Sequence, residues 1–237
     1  MSHDEIRLKI LRTLYDKYYD ESLGRPLDTN GILEEAFTKK QSQNHYPEIE
    51  YLEDKGLLKG EWINGLSYPK WIRITEYGID AVERVETDLR DLHYRRRLQI
   101  LGFLYKKFFD GNTQKISTDQ ISSETKIGDP NSSEIIQEFN YLYEKRLTDS
   151  GTQVGRKRVF ASKISSYGID EVENIFNQSF QELSTLTITS TEKSKIENIQ
   201  AEKNKGTRFS KAIEISQEIR EWADILLRTA QMFIGGS

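Results

Sequence analysis

A chain of 237 residues with 30% charged, 36% hydrophobic and 11% aromatic residues is too long for one minimal domain and too apolar for a disordered polymer. The lack of cysteine excludes disulfides, thiol nucleophiles and cysteine-based zinc sites, and no apolar run reaches the length of a membrane span or a secretory leader, so a cytoplasmic protein without membrane contact is expected. The net charge of −4 is uneven, with 13 Lys+Arg against 18 Asp+Glu in residues 1–90, 13 against 12 in residues 91–180 and 8 against 8 beyond, so a polyanionic partner has to be met by local patches.

The first predicted element is an amphipathic helix carrying Ile10, Leu11, Leu14, Tyr15 and Tyr18 at helical spacing. A second helix is predicted over Thr29–Lys39 with Asp28 as its cap, and a third, with Pro47 in its first turn, ends at Leu57. Then "LLKGEWINGLSYPKWIRIT" reads as two strands around a glycine-containing turn, and a fourth helix starts at the Glu76–Tyr77 step and runs on through "GIDAVERVETDLRDL". Ninety residues later the phrases return. "RLKILRTLYDKYYD" from Arg7 answers to "RLQILGFLYKKFFD" from Arg97, "YLEDKGLLKG" from Tyr51 to "YLYEKRLTDS" from Tyr141, and "ITEYGIDAVE" to "ISSYGIDEVE". The second copy is expected to repeat the order, with a helix at Thr118–Thr125 capped by Ser117, Pro130 in the first turn of its third helix, and "LTDSGTQVGRKRVFASKIS" as its hairpin. The repeated YGID phrase is read as structural, with Gly78 and Gly168 allowing close backbone packing and Ile79 and Ile169 entering the core.

Helix, helix, helix, two-stranded hairpin, helix, together with "IEYLEDKGLLKG…RITEYGIDAVE", resembles the prokaryotic winged helix-turn-helix proteins, archaeal ones included. The resemblance rests on Leu52, Lys55, Gly56, Leu57, Ile74, Thr75 and Gly78. In the second copy Arg146 stands in place of the glycine and Ser165 in place of the threonine. It covers roughly residues 5–180 and implies a mainly α fold with small β wings: a first winged domain over 1–92, a second over 93–182, a linker or marginal helix over 183–207 and an amphipathic helix over 208–234. It also implies contact with double-stranded DNA, the third helix in the major groove and the wing along the backbone.

No residue pattern points to catalysis. His3, His45 and His93 lie far apart, and no phosphate loop, nucleophile elbow or metal-ligand spacing occurs, so neither enzyme activity, cofactor nor metal is expected. The candidate DNA contacts in the first copy precede the third helix: Lys39 and Lys40 for phosphates, Gln41, Gln43, Asn44 and His45 for base edges. The competing reading is a polar loop, and Glu48, Glu50, Glu53 and Asp54 would repel phosphate. In the second copy the candidates are Arg156, Lys157, Arg158 and Lys163 on the wing, or else a solvated hairpin tip. Arg95, Arg96 and Arg97 stand at the start of the second domain's first helix, for phosphate or for salt bridges to the preceding acidic helix. Trp62 and Trp71 are read as packing residues, and no effector pocket is legible.

Beyond the Thr- and Ser-rich stretch after Leu183, a stripe of Ala212, Ile219, Trp222, Ala223, Leu226, Ala230 and Phe233 suits homodimerisation or docking on a protein partner. The leading expectation is a DNA-binding regulator of transcription. The alternative is a non-catalytic interaction scaffold, a use to which tandem winged helices are also put in endosomal-sorting subunits.

Overall fold

The structure is a computed structural model that describes residues 1–22, 25–37, 45–152, 159–183, 190–202, 205, 206, 208 and 211. The described chain is mainly helical, with two small antiparallel sheets of three strands each. Two compact units are present, one formed by Met1–Arg90 with Asn131–Asn140, the other by Asp91–Pro130 with Tyr141–Ser237.

In the first copy, helix α1 (His3–Lys17) opens with a reciprocal cap between Ser2 and Glu5 and passes into a π-helical turn at Tyr18–Ser22. Strand β1 (Leu27–Asp28) leads directly into α2 (Thr29–Ala36), whose first turn is closed by Asp28 accepting from the Gly31 N–H at 3.0 Å. Helix α3 (Tyr46–Asp54) carries Pro47 in its first turn and is followed by β2 (Leu58–Glu61), β3 (Trp71–Ile74) and α4 (Glu76–Val85). The strand order is β1-β3-β2, so the hairpin is extended by a third strand that the sequence reading did not foresee. Helix α1 packs against α2, α3, α4 and β3. The core between them holds Ile10, Leu11 and Leu14 of α1, Leu33, Ile49, Leu52, Ile72 and Ile79, each at most 3% exposed.

The second copy repeats this plan. Helix α5 (Thr87–Phe109) is followed by β4 (Ile116–Ser117), α6 (Thr118–Thr125), α7 (Ser133–Glu144), β5 (Thr148–Thr152), β6 (Val159–Ile164) and α8 (Ser166–Leu183), with sheet order β4-β6-β5. Several expected boundaries move. The third helix of the first copy ends at Asp54, short of Leu57. The fourth helix of the first copy stops at Val85, because Glu86 leaves helical geometry (φ −110°, ψ 89°), and the next helix starts at Thr87 instead of at the arginine cluster. Helix α2 ends at Ala36, short of Lys39. Pro130 lies ahead of α7 rather than in its first turn. A last described helix, α9 (Ser190–Gln200), buries Ile196 and Ile199 in the stretch read as a linker or marginal helix.

The repeated phrases correspond to repeated bonds. After α3 the chain reverses through Gly56 (φ 70°), with Leu57 N–H donating to the Leu52 carbonyl and Gly56 N–H to that of Glu53. After α7 the same pair of bonds runs from Leu147 to Leu142 and from Arg146 to Tyr143, and Arg146 takes the left-handed conformation at φ 61°. Thr75 donates to the Gly56 carbonyl and accepts from the Gly78 N–H, and Ser165 does both toward Arg146 and Gly168. A Cβ on Gly78 would lie 2.1 Å from the Leu57 carbonyl oxygen, and one on Gly168 2.1 Å from that of Leu147, so both glycines are fixed by backbone contact. The Tyr15 hydroxyl donates to Glu83 at 3.2 Å, and the Tyr105 hydroxyl to Glu173 at 3.1 Å.

Candidate nucleic-acid interface

Of the residues assigned to DNA in the first copy, Lys39, Lys40, Gln41, Gln43 and Asn44 lie outside the described residues. His45 is described. It stands at the start of α3, half-buried, with its ring 4.2 Å from that of Phe37. Helix α3 buries Glu48, Ile49 and Leu52 and turns Glu50, Asp54 and Lys55 outward. Burial raises the pKa of the Glu48 carboxyl, but hydrogen bonds from His3 and Arg7 outweigh it and hold the group below the ordinary carboxylate value. The exposed charges here are Glu50 and Asp54 against Lys55, a net negative charge that opposes approach to phosphate.

The hairpin beside it is differently built. Glu53 accepts from the Gly60 N–H at 2.9 Å and from Trp62 Nε1 at 3.1 Å, which fastens the base of the hairpin to α3. Tyr68, in the hairpin loop, stacks on Tyr46 of α3 with ring centres 3.9 Å apart, and the Tyr46 hydroxyl donates to Asn30 of α2. Strand alternation then sends Leu58, Ile72 and Ile74 inward, and turns Lys59, Glu61 and Trp71 out to solvent with Arg73 half-buried among them. Lys59 stands directly opposite Arg73 in the register, and Glu61 opposite Trp71. Trp62 is 51% exposed and Trp71 38%, so the indoles read as packing residues stand instead at the surface.

In the second copy the positions ninety residues on are Asp149 and Lys163, also directly opposite one another. They form an ion pair at 3.3 Å, joined by Lys115 at 3.3 Å from the other carboxylate oxygen. Burial raises the pKa of Asp149, but the two ammonium groups prevail and keep it below the ordinary value. Lys163, expected to track a phosphate, is thus engaged by a carboxylate within its own sheet. Arg156, Lys157 and Arg158 lie outside the described residues.

The arginine cluster divides by helical position. Arg95 is exposed, Arg96 half-buried and Arg97 wholly buried, with its guanidinium 3.5 Å from the centre of the Tyr141 ring. Arg7, ninety residues earlier, lies 3.5 Å over Tyr51 in the same way. The assignment of Arg97 to phosphate is accordingly corrected. It falls on the inward stripe with Ile100, Leu101 and Leu104, and that spacing, visible in the sequence, was the signal to follow. Positions 135 to 142 of α7 are buried, Gln137, Glu138 and Asn140 included. The proposed association residues Ala212, Ile219, Trp222, Ala223, Leu226, Ala230 and Phe233 lie outside the described residues.

Lys59 and Arg73 are the cations that sequence reasoning missed. The hairpin register, fixed by the alternation of LLKGE against WIRI, brings them together. Among the described residues no cluster of three or more His, Asp or Glu side chains is arranged to hold a metal ion, and no helix is long and apolar enough to cross a membrane. Neither a family model, nor a curated protein, nor a solved structure matches this chain.

Proposed function

We propose that the chain is a tandem winged helix-turn-helix protein that binds double-stranded DNA as a non-catalytic regulator of transcription, with the first copy's hairpin as a principal contact. The fold reading is supported by the order of helices and hairpin in both copies and by the short strand ahead of the second helix, which pairs with the hairpin. The observation that carries the DNA reading is the cross-strand pair of Lys59 and Arg73. At the same two positions the second copy holds Asp149 and Lys163, which form an ion pair. Two basic side chains set opposite each other on the first hairpin, Lys59 exposed and Arg73 half-buried, suit contact with a phosphate backbone. Arg95, exposed on α5, is a further candidate contact.

The test is fluorescence anisotropy on random-sequence duplex DNA across a salt series, with Lys59→Ala, Arg73→Ala and the triple variant Arg156→Ala/Lys157→Ala/Arg158→Ala. Each hairpin lysine or arginine that touches phosphate should lower the slope of log affinity on log salt by about one. Wild-type binding that both single variants leave unchanged in strength and slope would remove this hairpin from the interface.

A second reading, an interaction scaffold without nucleic acid, is favoured by Trp62, Ile63, Leu66 and Trp71 standing exposed on the first hairpin. The same titration separates the two, since a scaffold of this kind gives no DNA binding even at low salt.

A further inference from the structure

The tip of the first hairpin is apolar. Between β2 and β3 the loop begins "WINGLSY", and Trp62, Ile63 and Leu66 all stand exposed. The Lys70 N–H donates to the Glu61 carbonyl at 2.9 Å and closes the loop at its base, while the Leu66 N–H donates to the Ile63 carbonyl at 3.2 Å and closes a four-residue turn at its end. Gly65, third in that turn, takes φ 93°, a conformation that favours glycine, and a Cβ on it would meet nothing within 4 Å. Two aliphatic side chains thus flank a tight turn with open space beside it.

Water gives no reason for apolar residues at a hairpin tip, and the duplicate does without them. Ninety residues on, Trp62, Ile63 and Leu66 are answered by Thr152, Gln153 and Arg156. The arms behind the tip are fastened to α3. Trp62 Nε1 and the Gly60 N–H both donate to Glu53, and Tyr68 stacks on Tyr46. Lys59 is exposed three residues back from Trp62, about 10 Å of strand. Of the other charged residues on the arms, Lys70 pairs with Asp28 at 2.8 Å, Glu61 is exposed between Lys59 and the tip, and Arg73 stands opposite Lys59. A braced projection with an apolar end and a cation about 10 Å behind it has the form of a wedge for the minor groove, which is about 7.5 Å deep and bordered by phosphates.

We propose that Ile63 and Leu66 form a wedge that enters the minor groove of duplex DNA and unstacks a base step, so that the bound duplex is kinked. This rests on the DNA reading above and adds a mechanical consequence to it. Leucine and isoleucine are among the side chains that part base steps in this way, and the kinks they produce run from about 20° to 90°. With the tip at the floor of the groove, Lys59 lies level with the phosphates at its edge.

Ligase-mediated cyclisation of a duplex of about 120 base pairs, shorter than the persistence length of about 150, reads kinking without a known target sequence. Anisotropy on the same DNA sets each protein to equal occupancy. Wild-type protein should raise the yield of circles at least about tenfold, because a kinked duplex escapes the elastic cost of smooth bending. Ile63→Ser/Leu66→Ser should bind with an unchanged salt slope and give no gain in circles, whereas Ile63→Val/Leu66→Met should keep the gain. Circular dichroism of each variant establishes that it is folded. DNA binding without a gain in circles, or an equal gain from the folded serine variant, would overturn the wedge and leave the DNA reading standing. Binding to vesicles of mixed phosphatidylcholine and phosphatidylglycerol that the serine variant loses, with no gain in circles, would assign the tip to a lipid surface instead. Absence of duplex binding at low salt would remove the DNA reading and the wedge with it, so the two failures are told apart.

Discussion

Arg97 shows how a residue's neighbours in sequence mislead where its neighbours in space decide. Three consecutive arginines look like one basic patch, yet successive helical residues diverge by about 100°, so Arg95 meets solvent while Arg97 meets Tyr141. Arg146 is a second case. The first copy has glycine there, and the two backbone bonds that close the turn form equally with arginine held at φ 61°. An L-residue in that region carries a steric cost that glycine avoids. Arg146→Gly is therefore expected to raise stability by about 1 kcal/mol in urea denaturation. Glu48 gives the residue-scale pH dependence. Its pKa lies below the ordinary 4.5 in the folded state, so its stabilising contribution is complete above that value and is lost as pH falls through the folded pKa. Between about pH 5 and pH 3 the urea midpoint should fall less steeply in Glu48→Gln than in the wild type, at the cost of a lower midpoint at neutral pH.

At the scale of elements, the joint between hairpin and following helix is the most constrained point of each copy. Gly78 and Gly168 lie against a carbonyl oxygen that cannot yield without moving the preceding turn, so Gly78→Ala and Gly168→Ala should each destabilise by about 3 kcal/mol or more. Urea denaturation of the two single variants would check this, and a variant of wild-type stability would show that the turn relaxes. The helices with strong caps were legible: Asp28 and Ser117 open α2 and α6 where the sequence placed them. The strands β1 and β4 were not, because two residues cannot display a period of two. Nor was the break at Glu86, where no glycine or proline marks the change and the apolar spacing continues on both sides. The hairpin cations were legible in principle, though Lys59 and Arg73 lie fourteen residues apart and form no cluster like Arg156–Lys157–Arg158. The register of the shorter hairpin already implied the pairing of Lys59 with Arg73.

At the scale of the molecule, the net charge of −4 means that any binding to DNA comes from a few local cations working against a repulsive field. The salt dependence should therefore correspond to only a few phosphates, so affinity should rise only modestly as salt is lowered. The mainly helical class and the twofold repetition were readable from one sequence, because apolar spacing and repeated phrases survive substitution. The turn at Arg146 has one more consequence. A pattern of residue identities that asks for glycine after the third helix finds one copy in this chain, whereas the path of the backbone shows two. The halves differ in composition while keeping the same chain reversals, so their correspondence is written more fully in hydrogen bonds than in letters.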